Sequence, residues 1–222
     1  MFLSCYYKCS FQKNFSMALA DLLHYAAGMR NIVRIVFFGS PTDNEEFKRQ
    51  RCEIALMLRD EFQCSIPAYT YLAQPLLGSG SLGIEIQVAE NCDNAIWEYS
   101  KYDIFSYVKL TIGDEFMLFL PGIFHSDLSL SVREQSEIIM GTIANILLQE
   151  GLSMSNIVRQ WNYLENITGE ELFSKQRYQE FNDVRSNIYG NSFICNGYPS
   201  ATGIGTQFGG IQIEIDALSN SN

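Results

Sequence analysis

Two short segments of this chain are near copies of one another. Residues 83–89 read GIEIQVA and residues 210–216 read GIQIEID. Both alternate strictly between apolar and polar side chains, so each is a strand with two unlike faces. In the second copy Ile211, Ile213 and Ile215 share one face, while Gln212, Glu214 and Asp216 share the other. A stretch punctuated by proline and glycine precedes each copy, PLLGSG from Pro75 and PSATGIG from Pro199. Such punctuation marks a turn.

The upstream elements recur in the same order. In the first copy an apolar strand over 32–38 leads through Gly39-Ser40-Pro41 into a helix over about 44–62, with Asp43 or Asn44 as its N-cap. A strand over 68–73 follows. In the second copy, strands near 107–111 and 116–120 lead to an amphipathic helix over about 131–150, which Gly151 ends from the C′ position. A strand over 157–164 comes next, then an inserted helix over about 170–189. This recurrence of helix, strand, turn and alternating strand points to duplication. It divides the chain into a shorter N-terminal unit, residues 1–96, and a C-terminal unit, residues 97–222, that carries the candidate site. Residues 90–103 read as linker, and residues 1–30 carry no clear pattern. Glu214 is answered by Gln87, so only the second of two equivalent positions is ionisable.

The 222 residues carry a net charge of −10, with 47% hydrophobic and 18% charged residues. That is the composition of an ordinary globular protein, and its acidity speaks against a phosphate backbone as partner. The densest basic cluster, Lys48-Arg49-Gln50-Arg51, has Glu45, Glu46 and Glu53 at helical spacing and reads as a solvated face. No apolar run approaches the roughly 18 residues that span a bilayer. Neither nucleic acid nor membrane is an expected partner. The six cysteines (Cys5, Cys9, Cys52, Cys64, Cys92 and Cys195) form no CxxC, and only His24 and His125 accompany them, so no zinc constellation is present. They read as reduced thiols of a cytoplasmic protein. His125, Ser126 and Asp127 are consecutive, and consecutive residues seldom face one another as a hydrolase triad requires.

With these elements placed, residues 104–218 resemble the reactive-intermediate deaminase (Rid, YjgF-like) superfamily. The likeness is carried by DIFSYVKLTIGDEFMLFLPG, by REQSEIIMGTIANILLQEG with SMSNIVRQWNYLENI after it, and by YPSATGIG before GGIQIEIDAL. Within the superfamily the chain looks closer to the chorismatase-like (pteridine-dependent-dioxygenase-like) branch. Arg159, Trp161, Asn162 and Tyr163 on one strand, the segment RYQEFNDVR and PSATGIG are similar to that branch, as is the tandem arrangement. The resemblance implies an α/β (α+β) fold of two tandem Rid-like (chorismate-mutase-like) units, each a mixed sheet packed on helices. It implies a trimer as the usual assembly, a small carboxylated metabolite as ligand, and neither a metal nor an organic cofactor.

It also implies a reaction, the release of pyruvate from chorismate or a similar small carboxylated ring by general acid catalysis. Glu214 stands where the family has its catalytic glutamate. Protonating an enol ether near neutral pH needs a carboxylic acid kept protonated by burial. Arg185 and Arg159 suit substrate carboxylates, because a planar guanidinium matches a carboxylate bidentately. Tyr178 lies on the same helical face as Arg185. Tyr107 sits where the superfamily places a cleft tyrosine, and Tyr163 joins Arg159 and Trp161 on one strand face. Gly203 lets backbone approach a ligand. Ala201 replaces the arginine with which deaminating members hold a substrate carboxylate, which weighs against the alternative of imine or enamine deamination. A second alternative, a non-catalytic subunit that binds a small metabolite, is favoured by Gln87 and the short first copy.

Overall fold

A computed structural model describes residues 2–78, 80–92, 94–170, 175–194 and 197–220. The expected helix starts are set by side-chain caps. Helix α2 (Asn44–Phe62) begins where the Asp43 carboxylate accepts the Glu46 N–H. Helix α3 (Val132–Gln149) begins at a capping box in which Ser131 and Glu134 satisfy each other's backbone donors. Gly151, just past its end, takes a φ of 74°, a conformation that costs glycine little. The stripe Val132, Ser136, Ile139, Ile143, Ile146 and Leu147 is buried at helical spacing.

The strands form two mixed sheets. The first contains β1 (Phe2–Ser10), β2 (Ile32–Gly39), β3 (Ala68–Ala73) and β4 (Leu82–Glu90), in the order β1-β4-β2-β3. The second contains β5 (Ile96–Tyr102), β6 (Phe105–Ile112), β7 (Glu115–Phe124), β8 (Ile157–Glu165), β9 (Ser200–Thr206) and β10 (Ile211–Leu218), in the order β5-β6-β7-β10-β8-β9. In each sheet one parallel pair, β2/β3 or β8/β9, is joined across a helix. The alternating strand, β4 or β10, then inserts antiparallel on the other side of β2 or β8.

This topology shifts the duplication by one helix relative to the sequence reading. Helix α4 (Arg177–Tyr189) is no insertion. It is the crossover between β8 and β9, as α2 is between β2 and β3. A parallel pair cannot be closed by a tight turn, so each copy needs such a helix. The counterpart of β7-α3 is β1 with α1 (Phe15–Ala27), both in the residues whose pattern is not readable. The repeat is therefore β1-α1-β2-α2-β3-β4 against β7-α3-β8-α4-β9-β10, and Gln87 still answers Glu214. Two smaller corrections follow. Residues 96–102 are not linker but strand β5, paired with β6. The segment from Ser200 is not a turn but strand β9, parallel to β8. The helix expected from about Glu170 begins only at Arg177, and Glu170 instead bridges to Gln176; residues 171–174 and Cys195 lie outside the described residues.

The layers run α1 and α2, first sheet, second sheet, α3 and α4. Each helix pair covers the outer face of its sheet in a separate apolar core. A third apolar cluster (Val33, Ala68, Ala89, Val108, Leu110 and Phe119) joins the sheets face to face. At about 1.5–3 kcal/mol per buried aliphatic or aromatic side chain, this contact ties the units together. Strand β2 is consequently covered on both faces, which is why IVRIVFF reads as an apolar run broken only by Arg34. Ile35 and Phe37 point to the helices, and Val36 points to the second sheet. Arg34, in the middle of that run, is fully buried. Among the described residues no helix is long and apolar enough to cross a membrane.

Candidate functional site

Strand β10 lies between β7 and β8, so both its edges are paired, and the helices and the first sheet cover its two faces. Ile211, Ile213 and Ile215 enter the core under α3 and α4. Gln212, Glu214 and Asp216 face the first sheet, none of them more than 2% exposed. A carboxylate pair this deep is costly unless something compensates it.

Arg34 supplies the compensation. Its Nη2 lies 2.7 Å from Asp216 Oδ1 and also donates to the carbonyls of Leu120 and Ile215, at 2.9 and 3.2 Å. Its Nη1 donates to Gln87 Oε1 at 3.1 Å. Its Nε lies 3.8 Å from Glu214 Oε2 and makes no hydrogen bond among the described residues. Burial pulls the guanidinium down, but Asp216 and Glu214 more than restore it, so Arg34 stays charged. One cation therefore serves two carboxylates, and Asp216 has the close contact.

Glu214 is left with the weaker share. At an effective dielectric near 20, an ion pair at the distance of Arg34 from Glu214 is worth on the order of 4 kcal/mol. Burying an ionised carboxylate costs several kcal/mol, and the Asp216 charge adds repulsion. The result favours the neutral acid. Burial raises the Glu214 pKa, the Arg34 charge and the Thr70 hydroxyl oppose the shift, and Asp216 and Glu85 reinforce it. Glu214 Oε1 has no hydrogen-bond partner among the described residues, while Oε2 accepts from the Tyr163 hydroxyl at 3.4 Å.

Glu214 lines a cavity of about 340 Å³ between the sheets. The second sheet adds Arg159, Trp161 and Tyr163, and the first sheet adds Phe38, Glu85 and Gln87. The Arg159 guanidinium stacks 4.5 Å from the Trp161 ring centre, and Arg34 lies 5.3 Å from the same ring. Burial pushes the Tyr163 hydroxyl far above its usual range, helped by the Glu214 charge, so it remains a donor.

Of the residues expected to form one cleft, Glu214, Arg159 and Tyr163 come together. Tyr107, Tyr178, Arg185, Ala201 and Gly203 do not join them, because they lie toward the helix side of the second sheet. The Tyr107 hydroxyl donates to Glu150 Oε1 at 2.6 Å and accepts from Gln149 at the end of α3. Tyr178 packs on β9, where a Cβ on Gly203 would fall 2.7 Å from its ring. Gly203 thus admits an aromatic side chain of this same chain. Arg185 lies over Phe181, 5.8 Å from the ring centre, within α4. Ala201 stands opposite Gln160, whose side chain meets Tyr189 of α4. Strand alternation separates the two groups, since Arg159, Trp161 and Tyr163 point one way and Gln160 and Asn162 the other.

Sequence reasoning missed Arg34 and Glu85. Arg34 had a signal, as the lone charge in the apolar run IVRIVFF. Glu85 had one in the exchange of Glu and Gln between GIEIQ and GIQIE. Elsewhere, His125 Nδ1 accepts the Asp127 N–H at 3.2 Å in a local turn rather than meeting a serine. Lys48 and Arg49 pair with Glu45 and Glu46 along α2, the expected solvated face. Arg51 departs from it, buried with its guanidinium over the Phe124 ring. Among the described residues no group of His, Cys, Asp and Glu could hold a metal ion.

Comparison with known proteins supports the chorismatase-like resemblance. Residues 114–217 match the family model described as chorismatase FkbO/Hyg5-like, N-terminal. The whole fold is similar to that of a solved chorismatase, with a TM-score of 0.62 at 14% identity over 99% of this chain and 54% of that one. The chain thus spans about half the length of that enzyme. YjgF-family structures from Mycobacterium tuberculosis and Neisseria meningitidis each align over 98% of their own length and over 56% and 57% of this chain. Their identities are 18% and 15%, and their TM-scores 0.41 and 0.44. No curated protein sequence matches the chain.

Proposed function

We propose that this chain, whose residues 114–217 match the FkbO/Hyg5-like chorismatase family, releases pyruvate from chorismate or a closely similar enol ether. The observation that carries the reading is Glu214, a carboxylic acid 1% exposed at the wall of an inter-sheet cavity, with one oxygen that has no hydrogen-bond partner among the described residues. Burial raises the pKa of such an acid, which favours its protonated form, and the unpartnered oxygen can deliver the proton.

The chemistry follows from that proton. Glu214 protonates the methylene carbon of the enol ether, and the adjacent ether carbon becomes an oxocarbenium centre. Water adds there to give a hemiketal, which collapses to pyruvate and the ring alcohol. General acid catalysis of this kind contributes about 10²–10⁴-fold. Tyr163 holds the acid in place through Oε2. Arg159, exposed and backed by Trp161, is placed to pair with a substrate carboxylate. Val36 and Leu72 form an apolar wall beside them. The reaction uses side chains alone.

A second reading is binding without turnover. It is favoured by the cavity lining, in which Arg159 is the one exposed cation among the described residues, while chorismate carries two carboxylates. Incubation of the protein with chorismate, with chromatography of pyruvate and the ring product, separates the two. Pyruvate that disappears in a folded Glu214→Gln variant supports turnover. A chorismate-dependent thermal shift without pyruvate supports the binding reading and overturns the first.

A further inference from the structure

The cavity holds a second carboxylate that the reaction above does not use. Glu85 of β4 is half-buried and lines the same cavity as Glu214. Its environment is the opposite of Glu214's. Glu85 Oε1 accepts a hydrogen bond from Gln87 Nε2 at 2.8 Å, and the Tyr7 hydroxyl of the neighbouring strand is within its reach. The Gln87 amide can turn only one way, because its Oε1 is already taken by Arg34 Nη1 at 3.1 Å. Arg34, the cation that sits beside Glu214, thereby fixes a donor on Glu85 as well. The repeat sharpens the contrast. The position equivalent to Glu85 in the second unit is Gln212, which is buried and spends its amide on the Tyr71 carbonyl.

We propose that Glu85 is the second catalytic group, the base that takes a proton from the water attacking the oxocarbenium carbon. The proposal rests on the pyruvate-releasing reading of the same site. Two carboxylates in one cavity with unlike surroundings are the usual mark of an acid and base pair. The protons balance. Glu214 gives its proton to the methylene carbon. Water then forms its bond to the ether carbon as Glu85 takes a proton from it. In the collapse Glu214 recovers a proton from the hemiketal hydroxyl, the C–O bond to the ring breaks, and Glu85 returns its proton to the departing ring oxygen. The groups facing Glu85 are Cys5 and Tyr7 from β1, Glu214 from β10, and Arg159 and Tyr163 from β8.

The test is steady-state pyruvate release from chorismate by the full chain, its Glu85→Gln variant and its Glu214→Gln variant, each with a pH profile. Glu85→Gln is expected to lower kcat by about 10²–10⁴-fold with KM changed little. Its profile should lose the fall in kcat/KM toward acid pH that a required base imposes. Formate added to Glu85→Ala should restore part of the rate, which a structural role would not allow. If Glu85→Gln does not fold, Glu85→Ala takes its place, with a loss of the same order expected. An active parent chain with kcat within threefold in Glu85→Gln, or in Glu85→Ala where that variant stands in, overturns this proposal alone. A folded parent chain that releases no pyruvate overturns the functional reading and this proposal with it.

Discussion

Arg34 and Asp216, 182 positions apart in the chain, form a buried ion pair at 2.7 Å between the two sheets. The contact joins an inner strand of one unit to the last strand of the other, and it leaves Glu214, whose pKa burial raises, with the weaker share of the cation. Removing one partner leaves an uncompensated charge in the interior. Arg34→Met is expected to destabilise the fold by about 3–5 kcal/mol. The double variant Arg34→Met with Asp216→Leu should recover most of that loss, as read from urea denaturation.

Glu214 should leave a signature in the pH dependence of stability. Its pKa is raised in the fold above the ordinary value of 4.5, so between the two values the folded state binds more protons than the unfolded one. Stability then falls as pH rises from about the unfolded pKa through the folded one, and levels off above it. Glu214→Gln removes this dependence. Denaturation series in acid and at neutral pH should show the variant gaining on the parent as pH rises. A constant difference would mean that Glu214 has the same pKa in the folded and unfolded states.

Arg159 is exposed and makes no ion pair among the described residues, only the stack on Trp161. Arg159→Ala should alter stability by no more than about 0.5 kcal/mol. It should raise KM for a carboxylated substrate while leaving kcat nearly unchanged, the pattern of a lost binding contact. A fall in kcat at constant KM would instead assign it a transition-state role.

Tyr107 offers the converse. Its hydroxyl is committed to Glu150 at 2.6 Å on the helix side of the sheet. Tyr107→Phe should cost about 1 kcal/mol of stability and leave the rate of pyruvate release within twofold. A large loss of rate from a stable variant would bring Tyr107 back to the site.

Gly203 tests the packing of β9 on α4. A methyl group there meets the Tyr178 ring at 2.7 Å, so Gly203→Ala should destabilise by about 1–3 kcal/mol. Combining it with Tyr178→Ala should cost less than the sum of the two single changes, which a double-mutant cycle in urea reads directly.

The elements that were legible in the sequence are those whose signal is local. Asp43 and Ser131 announce their helices because a cap acts within one turn, and β10 announces itself by alternation. Strands β1, β5 and β9 were not legible. FLSCYYKCS is mostly exposed at a sheet edge, and SATGIGT has little side chain with which to show a face. Helix α4 was seen, but its place in the repeat was not, because only the parallel pairing of β8 with β9 reveals it as a crossover.

The same division governs the site. By itself the sequence determined that Glu214 lies opposite Ile213 and Ile215 on a two-faced strand, that Arg159, Trp161 and Tyr163 share one face, and that Gln87 and Glu214 are equivalent positions. Each follows from the period of a strand, a property of the chain within a few residues. Only the tertiary structure decided what those faces meet. It turned Glu214 toward Arg34 and Glu85 of the other unit, and it set Tyr107 and Arg185 behind a sheet. The cavity exists because two sheets pack face to face, and the Glu214 pKa is raised because that contact buries the carboxyl and leaves it the weaker share of one cation.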